Sequence, residues 1–494
     1  MSLPISSTNN IIASQNTDIT SKKSENVAKV DSNKAEGIEE YLKSDKGDEL
    51  SISNDAKSLS KHRLDFAEKN DGKYELTSFI TDDAEFKTIA SAKTDSGRNI
   101  VVEQIMQHTK ALVKNGEGGS DMVAYGFRAS VYDADGKLEY NFMLQRDTII
   151  NENEDGSLNI SDYFTGDETD GDDFIIGKSG SHLAGGAGDD TFVVVANESY
   201  SGVESMGRGY SNSKDTSVEG GDGDDNIAIA STNIYAKVNV DSGAGNDTIS
   251  ASGYVHDSVI STGDGNDTID IQGVQDSTIT TGEGDDVVDL NGGANSYSNI
   301  DTGAGDDSLT ASGGIVGGKV NTGDGNDVIE VRSLLTNLNT GEGNDVVRAS
   351  NVSGVINTGD GNDSITVDGD VFLSKIDMGD GNNTFKARSF LSSRLTTGTG
   401  YDSVIFTGSV KQSYINTGKG DDYVQIAKDL IESFLDTGKG DDEVNILGDV
   451  KNSKVYGGAG DDKFRVDGNI IGSSIDSEVG EEFATTEGDE KKEK

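Results

Sequence analysis

The chain of 494 residues has no cysteine, no tryptophan and one proline. Without thiols it can form neither disulfides nor thiolate zinc sites. Basic residues are scarce, with 41 Lys and Arg against 89 Asp and Glu, a formal charge of −48. Such a chain is repelled by phosphate backbones and anionic lipid, which excludes nucleic acid as a partner. No apolar run approaches the roughly 18 residues of a membrane span, so no transmembrane segment is expected. The opening residues MSLPISSTNNIIASQ show neither the basic stretch nor the apolar stretch of a secretory leader. Hydrophobic residues make up 32% of the chain, so any core is thin.

Catalytic signatures are also missing. His62, His108, His182 and His256 form no HExxH and no close pair, and no GxSxG nucleophile elbow occurs. The stretch GDDFIIGKS from Gly171 to Ser179 spaces its glycines wrongly for a phosphate-binding loop, and its acids would repel phosphate. Asp133-Ala134-Asp135-Gly136 continues with Lys137 where an EF-hand needs an oxygen ligand, so it reads as a hairpin turn.

Glycine is plentiful, 64 residues, and its placement organises the chain. Residues 1–70, rich in Ser, Asn and Lys without apolar periodicity, read as disordered. Residues 71–165 read as a small α+β domain of unknown role. Val102, Ile105, Met106, Leu112 and Val113 fall at helical spacing before Asn115-Gly116. Alternation on either side of Asp133–Gly136 predicts a β-hairpin, and Asp155-Gly156 a second one.

From about residue 166 the chain repeats. A G-x-G-[ND]-D turn recurs, and from Asp247 to Asp462 its last acid advances 215 residues in eleven intervals, a mean period of 19.5. Two earlier copies end at Asp190 and Asp225. Apolar residues keep fixed offsets from that acid: seven before (Ile260, Ile279, Ile300), two after (Ile269, Val288, Leu309) and four after (Ile271, Leu290, Val331). Each unit thus supplies two short strands with alternate residues facing inward. Strands this short bury nothing alone, so residues 166–476 are predicted to stack as a right-handed parallel β-solenoid, a mainly β fold. Residues 477–494 read as a degenerate cap and an acidic tail.

The turn's composition points to metal. Glycines permit a sharp backbone whose carbonyls can converge, and the last Asp adds a carboxylate. An all-oxygen donor set favours Ca²⁺. Stacking brings the acids about 4.8 Å apart, which costs about 0.9 kcal/mol per neighbouring pair even in bulk water. Without a cation the column opposes its own fold.

Over about residues 170–470 these turns resemble the RTX, or hemolysin-type, calcium-binding repeat GGxGxDxUx. The resemblance implies about a dozen Ca²⁺ ions between successive turns, held by the motif Asp and by carbonyls of the glycine stretch. Matched position by position, the implied carboxylates are Asp190, Asp225, Asp247, Asp267, Asp286, Asp307, Asp327, Asp345, Asp363, Asp402, Asp422, Asp442 and Asp462. The implied carbonyls lie near Gly243, Gly245, Gly263, Gly265, Gly282, Gly284, Gly303, Gly305, Gly323, Gly325, Gly341 and Gly343. They continue near Gly359, Gly361, Gly418, Gly420, Gly438, Gly440, Gly458 and Gly460.

Three departures stand out. The family's first Gly survives as Gly185, Gly220 and Gly457 and is mainly Thr elsewhere. One motif per turn, rather than a tandem pair, predicts calcium on one edge only. Asn383 replaces the acid, which predicts weaker sites beside it, and Tyr401 makes the next turn unusual.

One-sided turns of this length are similar to the ice-binding region of a large RTX adhesin. Asn246, Asn266, Asn326, Asn344, Asn362 and Asn382 match one file of its ice-facing array, but Asp264, Glu283, Asp324, Glu342, Asp360, Lys419 and Lys439 do not match the other, where Thr399 alone conforms. The resemblances imply a secreted or surface-exposed bacterial protein that folds on calcium and serves as a rigid surface, matrix or adhesive element without enzymatic activity. The alternative is an exported enzyme or toxin with its chemistry in residues 71–165, and ice binding is a distant third. The RTX resemblance implies type I export. DELSISNDAKSLS, residues 48–60, instead resembles a segment of flagellar anti-sigma factors, which leaves flagellar or type III-like export open.

Overall fold

The structure is a computed structural model. It describes residues 85–94, 96–108, 122–144, 147–152, 158–162, 171–178, 180–196, 216–231, 235–295, 297–476 and 482–485. The segment read as disordered, residues 1–70, lies outside them. The described residues are β throughout, with no helix. The chain divides between Gly253 and Tyr254 into two units.

The first unit opens with a four-stranded antiparallel sheet, β1 (Glu85–Lys93), β2 (Asn99–His108), β3 (Met122–Tyr132) and β4 (Leu138–Met143), in sequential order. The helix expected from Val102 and Ile105 is therefore corrected to strand β2; Leu112 and Val113 lie outside the described residues. The physical reason is burial on both faces. Ile100 and Val102 pair with Val131 and Ala129 and join the unit's core, whereas Val101 and Ile105 are buried on the opposite face. Apolar residues from both faces of one central strand mimic a three-residue helical spacing, and β-branched Ile and Val favour the extended chain.

The expected hairpin about Asp133–Gly136 is present as β3 and β4, closed by a turn in which Gly136 N–H donates to Asp133 O. The second hairpin is β5 (Thr148–Glu152) against β6 (Leu158–Asp162), with the turn itself outside the described residues. β5 also pairs antiparallel with β7 (Phe174–Lys178), which pairs parallel with β9 (Thr191–Ala196). The hairpin is thus stitched to the solenoid's first turns. One core joins Ile100, Val102 and Phe127 to Ile150, Phe174, Ile176, Val193 and Val195.

Beyond β7 the chain is a parallel β-solenoid of about 14 turns, three in the first unit and eleven in the second, ten of those eleven bearing the acid and one bearing Asn383. In the second unit the registers set Ile260 beside Ile279 and Ile279 beside Ile300, and likewise Ile269 beside Val288 and Val288 beside Leu309. Every residue in these files is buried. The expectation of two strands per turn is incomplete. Later turns carry three, for example Val410–Lys411, Tyr414–Asn416 and Tyr423–Ile426. The extra strand is two residues long, too short to show alternation, yet it adds a third buried file through Val371, Phe390, Val410, Leu430 and Val450. Its corner turns on a residue at φ near +50°, as at Gln412, Glu432 and Asn452. At the far end Ile470 and Ile475 stay in register, but Ile470 is 40% exposed; residues 477–481, expected as a cap, lie outside the described set.

Candidate metal centre

The acid turn is built by two glycines whose roles are steric. At Gly284, φ is +133° and a Cβ would fall inside the Gly265 carbonyl oxygen of the preceding turn. Gly282, at φ +110°, stands in the same relation to Gly263 O. Carbonyls of one turn therefore press against the α-carbons of the next, and a side chain at either place would separate the turns. The same contact recurs from Gly303 and Gly305 through Gly458 and Gly460, and in the first unit at Gly243 and Gly245.

The motif acid then turns inward. Asp190, Asp225, Asp247, Asp267, Asp286, Asp307, Asp327, Asp345, Asp363, Asp402, Asp422, Asp442 and Asp462 are all buried, each 2% exposed or less. Within each unit the backbone N–H of one acid donates to Oδ1 of the acid, or of Asn383, one turn on. In the first unit these bonds join Asp190 to Asp225 and Asp225 to Asp247, at 2.8 and 2.7 Å. In the second they run from Asp267 to Asp286 at 2.8 Å, on to Asp307 and Asp327 at 2.9 Å, and to Asp345 at 3.0 Å. They continue through Asp363, Asn383, Asp402, Asp422 and Asp442 to Asp462. Within each unit the carboxylates expected from the repeat thus fall in one file. One oxygen per carboxylate serves the fold.

The other oxygen has a different environment. Oδ2 of Asp190, Asp225, Asp286, Asp307, Asp327, Asp363, Asp422, Asp442 and Asp462 is buried with no hydrogen-bond donor. At most turns the residue five before the acid is a buried Thr, at the place of the family's first glycine. Thr340 and Thr397 donate to Oδ2 of Asp345 and Asp402. Threonine hydroxyls also reach the carbonyl one turn on, as from Thr281 to Thr302 O at 2.8 Å, Thr397 to Thr417 O at 3.0 Å and Thr417 to Thr437 O at 3.1 Å. At Gly185, Gly220 and Gly457 the carboxylate occupies the space of that side chain.

Burial without a donor disfavours the charged carboxylate and raises its pKa. Desolvation pushes Asp190 to about 8 and Asp225 to about 9, in turns that begin with glycine and so offer no hydroxyl. In the threonine turns desolvation again dominates, and the nearby hydroxyl offsets part of it. Asp307, Asp402 and Asp442 rise to about 7, and Asp286, Asp327, Asp363 and Asp422 to about 6.

Asn383 shows what the second oxygen faces. Its Oδ1 keeps the ladder by accepting Asp363 N–H at 2.9 Å, which fixes the amide orientation. Its Nδ2 then meets four carbonyls: Met378, Gly379 and Gly381 of its own turn at 3.4 Å, and Thr397 of the next at 3.0 Å. The cage consists of acceptors. An amide NH₂ suits it, whereas a carboxylate oxygen there needs a proton or a cation.

No family model matches the chain, and no curated protein matches it. The X-ray crystal structure of a hyperactive, Ca²⁺-dependent, β-helical antifreeze protein from an Antarctic bacterium aligns at 21% identity with a TM-score of 0.37, over 62% of this chain and 82% of that one.

One further file escaped the sequence reading, and the asparagine file noted there proves to have a bonding role. On another edge of the second unit a serine nine residues before the acid does without charge what Oδ1 does. Ser413 accepts Ser393 N–H at 3.3 Å and donates to Lys411 O at 2.7 Å, and Ser433, Ser453 and Ser473 repeat the pattern. The fixed offset was legible in the sequence. On the exposed side of the acid turn the residue just before the acid forms an Asx ladder. Asn326, Asn344, Asn362 and Asn382 each pass a backbone N–H and a side-chain N–H to the preceding Oδ1. Tyr401 ends that run, its N–H donating to Asn382 Oδ1.

Proposed function

We propose that the aspartate files take up Ca²⁺ and that the chain is an exported, RTX-type bacterial protein whose solenoid completes its folding on calcium. The carrying observation is the contrast at Asn383: an amide satisfies four converging carbonyls where other turns place a buried carboxylate oxygen. By the register of the repeat, Oδ2 of Asp327 corresponds to Nδ2 of Asn383, and the carbonyls of Thr322, Gly323, Gly325 and Thr340 correspond to the four that Nδ2 meets, so these would be the donors. Five oxygens, one of them charged, suit a hard divalent cation, with calcium tolerating irregular geometry better than magnesium. The serine file supports ions on one edge only, because that second edge is already satisfied by neutral hydroxyls.

Extracellular calcium modules bind at about 10⁻⁴–10⁻³ M, so millimolar calcium adds about 0.4–1.4 kcal/mol per site. A dozen independent sites give roughly 5–17 kcal/mol, comparable to the whole stability of an ordinary domain. The chain would then stay loose in a calcium-poor cytosol, and calcium would order it outside. The function that follows is a non-enzymatic rigid surface, matrix or adhesive element. An exported enzyme or toxin is the alternative reading. The antifreeze activity of the structural neighbour is not carried over, because the file beside the asparagine ladder bears Asp324, Glu342, Asp360 and Asp380 rather than threonine.

Circular dichroism and calorimetry of the full chain, in chelator and in millimolar calcium, test the reading. A large gain of β signal and of melting temperature with calcium is expected. Identical spectra and melting curves would overturn it.

A further inference from the structure

We propose that Asn383 is a built-in substitute for an ion: its amide takes the place that a cation takes at the aspartate turns, so this turn closes without metal and interrupts the calcium file. The proposal rests on the calcium reading and deepens it.

Three observations converge on the one turn. The first is the amide's position. With Oδ1 committed to Asp363 N–H, the two hydrogens of Nδ2 are shared among the carbonyls of Met378, Gly379, Gly381 and Thr397. A neutral donor thereby satisfies the acceptors that elsewhere face an anionic oxygen, and no charge is left buried. The second is Met378. Where neighbouring turns put a threonine five residues before the acid, here a buried methionine stands. Threonine hydroxyls at Thr340 and Thr397 donate to the carboxylate of their own turn; Asn383 presents no second oxygen to receive one. Both replacements in the turn remove parts of a charged site, and together they leave a neutral one.

The third is the core beneath. Phe385, two residues after Asn383, packs against Phe390 and Phe406 with ring centroids 5.4–5.9 Å apart, all three fully buried. The turn without a carboxylate therefore sits on a cluster of large apolar side chains. Residues 376–391 carry no buried carboxylate whose charge a cation must cancel, and Phe385 and Phe390 are larger than the Ile365, Val404, Val371 and Val410 that match them in the adjoining turns. In calcium-free solution this segment is the part of the second unit best able to hold its structure. It divides the second unit's acids into a run from Asp267 to Asp363 and a run from Asp402 to Asp462.

The test compares the parent full chain with Asn383→Asp and Asn383→Ala. Bound calcium is counted by elemental analysis after equilibrium dialysis, melting is followed in chelator and in millimolar calcium, and amide hydrogen exchange is followed in chelator. Asn383→Asp is expected to bind at least one more calcium per chain and to melt lower than the parent in chelator but not in calcium. Asn383→Ala, which loses the donor without adding charge, is expected to melt lower in chelator without gaining an ion. Residues 376–391 of the parent should be the slowest-exchanging part of the second unit in chelator. If the chain binds calcium but Asn383→Asp gains no ion and melts like the parent in chelator, the substitute role is wrong and the calcium reading stands. If no variant binds calcium yet both substitutions lower the chelator melting point, the amide's role as internal donor stands and the calcium reading falls. Exchange in 376–391 as fast as in neighbouring turns would overturn the claim that this turn closes without metal.

Discussion

Asp363 gives its backbone N–H to Asn383 Oδ1 at 2.9 Å, the same bond at the same length that Asp345 gives to Asp363 Oδ1. The ladder therefore does not need the acid. An asparagine serves it equally, and what the carboxylate adds is the second, buried oxygen. Charge at that oxygen is an electrostatic burden on the ion-free fold and, on the proposed calcium reading, would serve as a ligand.

Asp327→Asn exchanges ligand for donor in mid-file. It is expected to remove one bound ion, lower the melting point in calcium and raise it in chelator, by about 1 kcal/mol or more in each direction. Calorimetry in the two buffers checks this. A lower melting point in both would mean that the carboxylate serves the fold itself.

The pH dependence has an unusual sign. Desolvation raises Asp190 to about 8, Asp225 to about 9 and Asp307 to about 7, above the unfolded value of 3.8. The calcium-free folded state thus binds more protons than the unfolded state, so its stability is fully present below about pH 4 and is lost as pH rises through about 6–9. Calcium-depleted protein is expected to melt higher at pH 5 than at pH 8. Calcium-saturated protein should show the reverse, because protons compete for the ligands. General charge repulsion in so acidic a chain would instead give the same slope in both, which makes paired melting curves decisive.

Gly284→Ala tests the stack independently of metal. A Cβ there meets Gly265 O at a φ of +133°. A loss of at least about 3 kcal/mol is expected, with and without calcium. A mild effect in urea titrations would show that the turns do not pack through these carbonyls.

Ser413→Ala removes the acceptor of Ser393 N–H on the uncharged edge. Leaving that buried group unpaired should cost about 1–3 kcal/mol. The loss should be equal in chelator and in calcium; a loss seen in calcium alone would place metal on this edge as well.

The solenoid was legible because its contacts are local in register. Each turn bonds only to its neighbours, so a file such as Ile260, Ile279 and Ile300 appears in the sequence as a fixed offset from the acid. The same offsets identified the aspartate and glycine of every turn. The sequence alone thus determined the period, the inward files and the placement of the acids on one edge. Tertiary structure decided the rest. It made β2 a strand, because Val101 and Ile105 are buried on the face opposite Ile100 and Val102, and two-sided burial erases alternation. It added the third strand, whose two residues carry no period, and it gave the serine file its bonding role. It also separated the two oxygens of each carboxylate. Asp and Asn at the turn read as a strong and a weak ligand in sequence, but which atom bonds the ladder and which faces four carbonyls depends on how one turn sits on the next.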